Sequence, residues 1–173
     1  MPHEWRKHPA LLGKFHPEHA DDLQVLVHDG GPRISERKPE LVWVTLTASH
    51  DEVFIGKILN RPSQLQTVNE GDEIHFIVAR DGQQPLYVTE KYLRERPDWI
   101  IHPCKDCGLS ELFDAPSELM KAIFPDLPDG AVMEAFTVMC GMCGGVQLIQ
   151  YKDAELDERL AEESPRKWWQ FWK

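Results

Sequence analysis

Phe136-Thr137-Val138-Met139-Cys140-Gly141-Met142-Cys143-Gly144-Gly145-Val146-Gln147-Leu148-Ile149 is the stretch that decides how the C-terminal half of the chain folds. Two runs rich in β-branched and apolar residues flank a Cys-x-x-Cys-Gly-Gly turn, which reads as strand, tight turn, strand. Two residues between the thiols let the backbone turn so that both sulfurs face one point. Backbone N–H groups after the turn then point at the sulfurs, and glycine just past the second cysteine allows the turn without a Cβ clash.

A second pair, Cys104-Lys105-Asp106-Cys107, is followed by Gly108, and the chain has no other cysteine. Two such turns supply the four soft ligands of a closed tetrahedral site. The expectation is therefore one structural Zn²⁺ per chain on Cys104, Cys107, Cys140 and Cys143, with no open position for catalysis. By motif alone, the strand–turn–strand layout resembles the zinc-ribbon class of metal sites. It departs from that class in spacing: residues 108 to 139 separate the pairs, against a common interval of about 15–20. His102, two residues before Cys104, is a fifth candidate ligand, although a histidine beside Pro103 is more often a turn residue. A thioredoxin-like redox role is the alternative use of a Cys-x-x-Cys pair, but that chemistry wants one pair at a helix N-terminus after a strand.

Working outward, Leu119, Met120, Ile123 and Phe124 follow the i, i+3, i+4 pattern of one buried helix face, predicting a helix over 117–124 inside the long interval between the pairs. Thr89 is a predicted N-cap for a helix over 90–96, which Pro97 ends. A strand is expected from Ala131 to Met139, and another from Val146 to Tyr151. Further upstream, Leu23–Val27, Leu41–Leu46, Val53–Leu59 and Ile74–Val78 read as short strands. They are separated by the turns Asp29-Gly30-Gly31-Pro32, Ser49-His50-Asp51-Glu52 and Glu70-Gly71-Asp72-Glu73. The sum is an α+β fold: a small curled antiparallel sheet or open barrel, a zinc-ribbon-like hairpin, and two or three short helices. It divides as a β-rich body over 1–88, a helix plus Cys₄ module over 89–151, and an acidic helix with an aromatic tail over 152–173.

Within the β-rich body, Trp43-Val44, Gly56, Leu59-Asn60, Pro62, Gly71-Asp72, Ile74 and Phe76 form a tryptophan-bearing strand, a glycine-bearing strand and a Gly-Asp turn. This block, residues 41–78, resembles a widespread bacterial domain-of-unknown-function family. The resemblance implies a compact α+β fold and a bacterial source, and it carries over no catalytic residues.

Composition narrows the function. Apolar residues make up 42% and charged residues 28%, the balance of a folded globular chain. The 29 acidic residues outnumber the 19 basic ones, giving a net charge of −10, which disfavours a nucleic-acid binder because a phosphate backbone is held by clustered Lys and Arg. No apolar run approaches the roughly 20 residues that span a bilayer, and the N-terminus lacks the apolar stretch of a signal peptide. A reducing cytoplasm is the expected compartment, and there cysteines serve metals more often than disulfides.

Two further features stand out. Trp168, Trp169, Phe171 and Trp172 crowd the last six residues among Arg166, Lys167 and Lys173. Tryptophans with cations suit a hydrophobic groove on a partner, and more weakly a membrane surface. Fold-back onto the body or exchange in a homodimer are the plainer uses. His28-Asp29 beside Arg33 is the best candidate for an acid–base pair near an anion-binding turn, and it carries the alternative that the chain is an enzyme. Since no nucleophile elbow, phosphate loop or kinase signature is present, the sequence favours a non-enzymatic, zinc-stabilised protein-interaction module.

Overall fold

A computed structural model describes residues 3–79, 83–131 and 133–153. Its N-terminal half is built from five strands: β1 (Asp22–Val27), β2 (Glu40–His50), β3 (Val53–Ile58), β4 (Glu73–Val78) and β5 (Pro85–Val88). They run as an antiparallel meander in the order β1-β2-β3-β4-β5. With an odd number of strands the first and last point the same way, so β1 and β5 meet in parallel at Leu26 and Leu86 and close the barrel. The sequence pointed to a curled sheet or open barrel; the structure closes it, through a fifth strand that begins at a proline and is too short to read from periodicity. A register shift between Leu46 and Ala48 marks where β2 bends across β3, as bulges do in small barrels. Opposite it, Gly56 has no room for a side chain: a Cβ there would sit 2.4 Å from a Val44 methyl and 2.8 Å from the Thr45 carbonyl.

Alternation fills the interior. Leu23, Val25 and Val27 of β1, Val42, Val44 and Leu46 of β2, Phe54 and Ile58 of β3, and Ile74 and Phe76 of β4 all point inward and are buried. Two short 3₁₀ turns, Glu4–Lys7 and Pro9–Leu11, add Trp5 and Leu11 to this core. The first is fixed by Asp21, which accepts from Trp5 Nε1 at 2.9 Å and from both Nε and Nη2 of Arg6 at 2.8 Å. These partners hold its carboxyl down at about 2, the Arg6 bonds outweighing partial burial.

Beyond the barrel, α1 (Glu90–Glu95) starts at Thr89, whose side chain accepts from Tyr92 N at 3.1 Å. A second sheet follows, made of β6 (Trp99–Ile101), β7 (Ala135–Met139) and β8 (Val146–Tyr151) in the order β6-β8-β7, all antiparallel. Between β6 and β7 lies α2 (Pro116–Ile123), which begins one residue before its expected start because Pro116 occupies the first turn, where its missing N–H costs nothing. The predicted strand from 131 begins only at Ala135. Leu26, Ile77, Leu86 and Val88 look outward from the barrel into a second core containing Tyr92, Trp99, Leu119, Met120, Phe136, Val138 and Ile149. Residues Val25-Leu26-Val27 are consecutively buried because this part of β1 lies between two cores. The aromatic tail and most of the predicted acidic helix, residues 154–173, lie outside the described residues.

Candidate metal centre

The β7–β8 hairpin holds the second cysteine pair in its turn, and the first pair sits in the segment leaving β6. Both turns are built the same way. In the first, Gly108 N donates to Cys104 O at 2.9 Å and Cys104 N to Leu109 O at 2.8 Å; in the second, Gly144 N donates to Cys140 O at 2.9 Å and Cys140 N to Gly145 O at 2.6 Å. Gly108 and Gly144 occupy matching positions with φ of +80° and +76°, the left-handed region that a Cβ disfavours. The two turns approach so closely that a Cβ on Gly145 would lie 2.5 Å from the Asp106 carboxylate and 3.0 Å from Cys104 Sγ.

This approach brings all four sulfurs within 4.8 Å of one another. Cys104 Sγ and Cys143 Sγ are 3.5 Å apart, and Cys107 Sγ and Cys140 Sγ 3.6 Å. A tetrahedron of thiolates with Zn–S bonds of ~2.3 Å has S···S edges of about 3.8 Å, whereas a disulfide requires ~2.0 Å. The donor set therefore fits a four-coordinate soft metal ion, and both of these close approaches run between the turns rather than within either Cys-x-x-Cys pair, against the redox alternative. Among the described residues no other group of three or more His, Cys, Asp or Glu ligand atoms converges in this way. Met142 N and Gly145 N lie 3.4 Å from Cys140 Sγ and Cys143 Sγ, the amide–sulfur bonds expected of such turns.

The electrostatics of the bare thiols point the same way. Burial pushes the Cys104 thiol up, but the N–H groups of Cys107 and Asp106 and the neighbouring thiols bring it down to about 7. Burial raises the Cys140 thiol far above its ordinary value, against the N–H groups of Cys143 and Met142. For Cys143 the Gly145 N–H favours the thiolate, yet the bonds with Cys104 and Cys107 leave it raised. Four negative charges do not fit this space by themselves; a divalent cation at their centre lets all four ionise.

The surroundings hold the two turns together. Gln147 on β8 is 1% exposed, and its amide nitrogen donates to Leu109 O at 2.8 Å, tying the hairpin to the segment after the first turn. His102 is engaged away from the sulfurs, Nε2 to Gln150 Oε1 at 2.6 Å, so it stands as a strand-end residue and not a fifth ligand. Phe113 ties the centre to the barrel. Its ring stacks on His28 at 4.1 Å and 13°, and a Cβ on Gly141 would fall 2.4 Å from its Cγ. Beside it, Asp114 accepts from Gly31 N at 2.7 Å.

The candidate acid–base pair His28-Asp29 and its neighbour Arg33, which the enzyme alternative needs in one pocket, are not brought together there. His28 is 2% exposed and both ring nitrogens are used, Nε2 by Tyr87 O at 2.9 Å and Nδ1 by Gly30 N at 3.0 Å. Burial lowers its pKa to about 4, leaving it neutral, while Arg33 is exposed. Asp29 is likewise spent, accepting from Gln66 N, Thr67 N and the Thr67 hydroxyl and pairing with Arg37. Phe113, Asp114 and Gln147 carry no local signal in the sequence because their roles depend on contacts across 28 to 85 positions, which no local spacing encodes. The four cysteines, in contrast, come together as their spacing predicts.

Across the described residues no helix is long and apolar enough to cross a membrane. Comparison with known proteins finds no matching family model, no matching curated protein and no matching solved structure.

Proposed function

We propose that Cys104, Cys107, Cys140 and Cys143 bind one structural zinc ion, and that the chain is a bacterial, cytoplasmic protein-interaction module and not an enzyme. The observation that carries the metal reading is the convergence of four sulfurs within 4.8 Å on two matching turns. Zinc is favoured over other soft ions because an all-thiolate tetrahedral site without an open position is its usual structural setting. The interaction role draws on the same hairpin. Met139, Met142 and Val146 are 44%, 46% and 50% exposed around its tip, and Met139 and Val146 are cross-strand partners. Clustered exposed apolar side chains are characteristic of contact surfaces, and flexible methionines suit them. The tryptophan-strand resemblance of residues 41–78 supports a bacterial origin.

Plasma mass spectrometry of untagged protein, with thiol titration before and after a strong chelator, tests the metal. About one zinc per chain, with thiols reactive only after chelation, is the expected result. No metal and four freely reactive thiols in the fresh protein would sink the reading. Cys140→Ser is expected to release the ion and loosen the C-terminal half; metal content and melting temperature unchanged from the parent would count equally against it.

A further inference from the structure

On the far side of the second core, between α2 and the edge of the three-stranded sheet, lies a cleft of about 340 Å³, within the ~300–1,000 Å³ of ligand-sized sites. Its walls include the rings of Trp99, Phe124 and Tyr151. Trp99 and Tyr151 meet edge-on at 5.2 Å, and Phe136 braces both Trp99 at 5.8 Å and Phe124 at 6.2 Å, so the aromatic surface is held in place. The rim is acidic: Glu95, Asp98 and Asp129 stand against Lys121 alone. The hydroxyl of Ser117, also in the cleft, is buried and has no hydrogen-bond partner among the described residues. Aromatic faces under carboxylates suit a cation carried beside a flat apolar group.

One stretch of this chain has that chemistry. Arg166-Lys167-Trp168-Trp169-Gln170-Phe171-Trp172-Lys173 holds three cations, four aromatic rings and no acidic residue, in a protein of net charge −10. It is also tethered at the right place, because Tyr151, the last residue of β8, is itself a wall of the cleft. The fifteen residues from Tyr151 to Arg166 reach up to ~50 Å, and a short tether raises the local concentration to the order of millimolar.

We propose that residues 166–173 seat in this cleft of their own chain, tryptophan rings against Trp99, Phe124 and Tyr151 and cations on Asp98 and Asp129. The proposal is independent of the metal, so the experiment uses the full, metal-loaded chain. Phe171 is replaced by p-benzoylphenylalanine, the protein is irradiated at low concentration, and cross-linked peptides are mapped by mass spectrometry. Intrachain links to peptides containing Trp99, residues 117–131 or Tyr151 are expected. Asp98→Lys with Asp129→Lys, two exposed positions, should lower their yield about tenfold while leaving the far-UV circular dichroism and the metal content of the chain unchanged. Links that map elsewhere, links that join two chains, or a yield indifferent to the charge reversal would each overturn the proposal.

Discussion

Gly141→Ala adds a single methyl group, and the structure fixes where it goes. The new carbon would lie 2.4 Å from Cγ, 2.5 Å from Cδ2 and 2.7 Å from Cδ1 of Phe113, where apolar carbons prefer ~3.5–4.0 Å. About 1 Å of movement is therefore required. Phe113 has nowhere to go: it is 4% exposed and lies flat on His28, which is itself tied at both nitrogens. Overpacking of this kind costs about 1–3 kcal/mol, and for a chain of this size about 2 kcal/mol lowers Tm by ~4–8 °C. Gly144→Ala is the control, since nothing lies within 4 Å of its Cβ position and only its φ of +76° resists the substitution, a cost of ~1–2 kcal/mol. The two glycines are separated by adding Phe113→Ala to each. Removing the ring should abolish the Gly141→Ala penalty and leave the Gly144→Ala penalty intact, a coupling of about 2 kcal/mol in urea unfolding. A Gly141→Ala penalty that persists undiminished without the Phe113 ring would refute the argument that Phe113 is the wall.

Two further outcomes follow from buried charge. Burial pushes the Asp114 carboxyl up to about 6, against the Gly31 N–H and with help from Glu118. Between the ordinary value of 3.8 and about 6 the folded state thus holds more protons than the unfolded one, and stability falls as pH rises through that window. Asp114→Asn removes this loss, so the difference in stability between variant and parent should move in favour of the variant by about 1–2 kcal/mol from pH 4 to pH 6.5; a pH-independent difference in urea midpoints would exclude a buried charge there. Glu111, 3% exposed, is held by Arg96 through Nε at 2.8 Å and through Nη2, and by the Tyr92 hydroxyl. Arg96→Ala strands this carboxylate and should cost about 2–3 kcal/mol by thermal melting, with Glu111→Gln in the same background restoring part of it; a loss below about 0.5 kcal/mol would show the pair to be incidental.

What could be read in the sequence was what is encoded locally. The cysteine spacing and the glycines after each pair specify two turns locally, and the four sulfurs meet as expected. Thr89 marks a helix start by its own capping chemistry, as it does in the structure. The alternation Ile74, Phe76 and Val78 marks a strand. Barrel closure was hidden because it rests on one parallel pairing between Leu26 and Leu86, and four residues of β5 carry too little pattern to announce it. His28 next to Asp29 suggested catalysis from adjacency alone. The fold sends the His28 ring inward onto Phe113 and the Asp29 carboxylate to the backbone of residues 66 and 67, an outcome set by residues that no nearby spacing connects to them.

Each cysteine turn contributes one sulfur-bearing residue that is buried, Cys104 or Cys140, and one that is exposed, Cys107 or Cys143. An ion held by all four would have an inner pair of ligands and an outer pair, one of each from either turn. A chelator or acceptor protein arriving from solvent then meets Cys107 and Cys143 first, and can displace them in succession while Cys104 and Cys140 still hold the ion across both turns. Release of such an ion to an incoming ligand would begin at the exposed sulfurs and end at the buried ones.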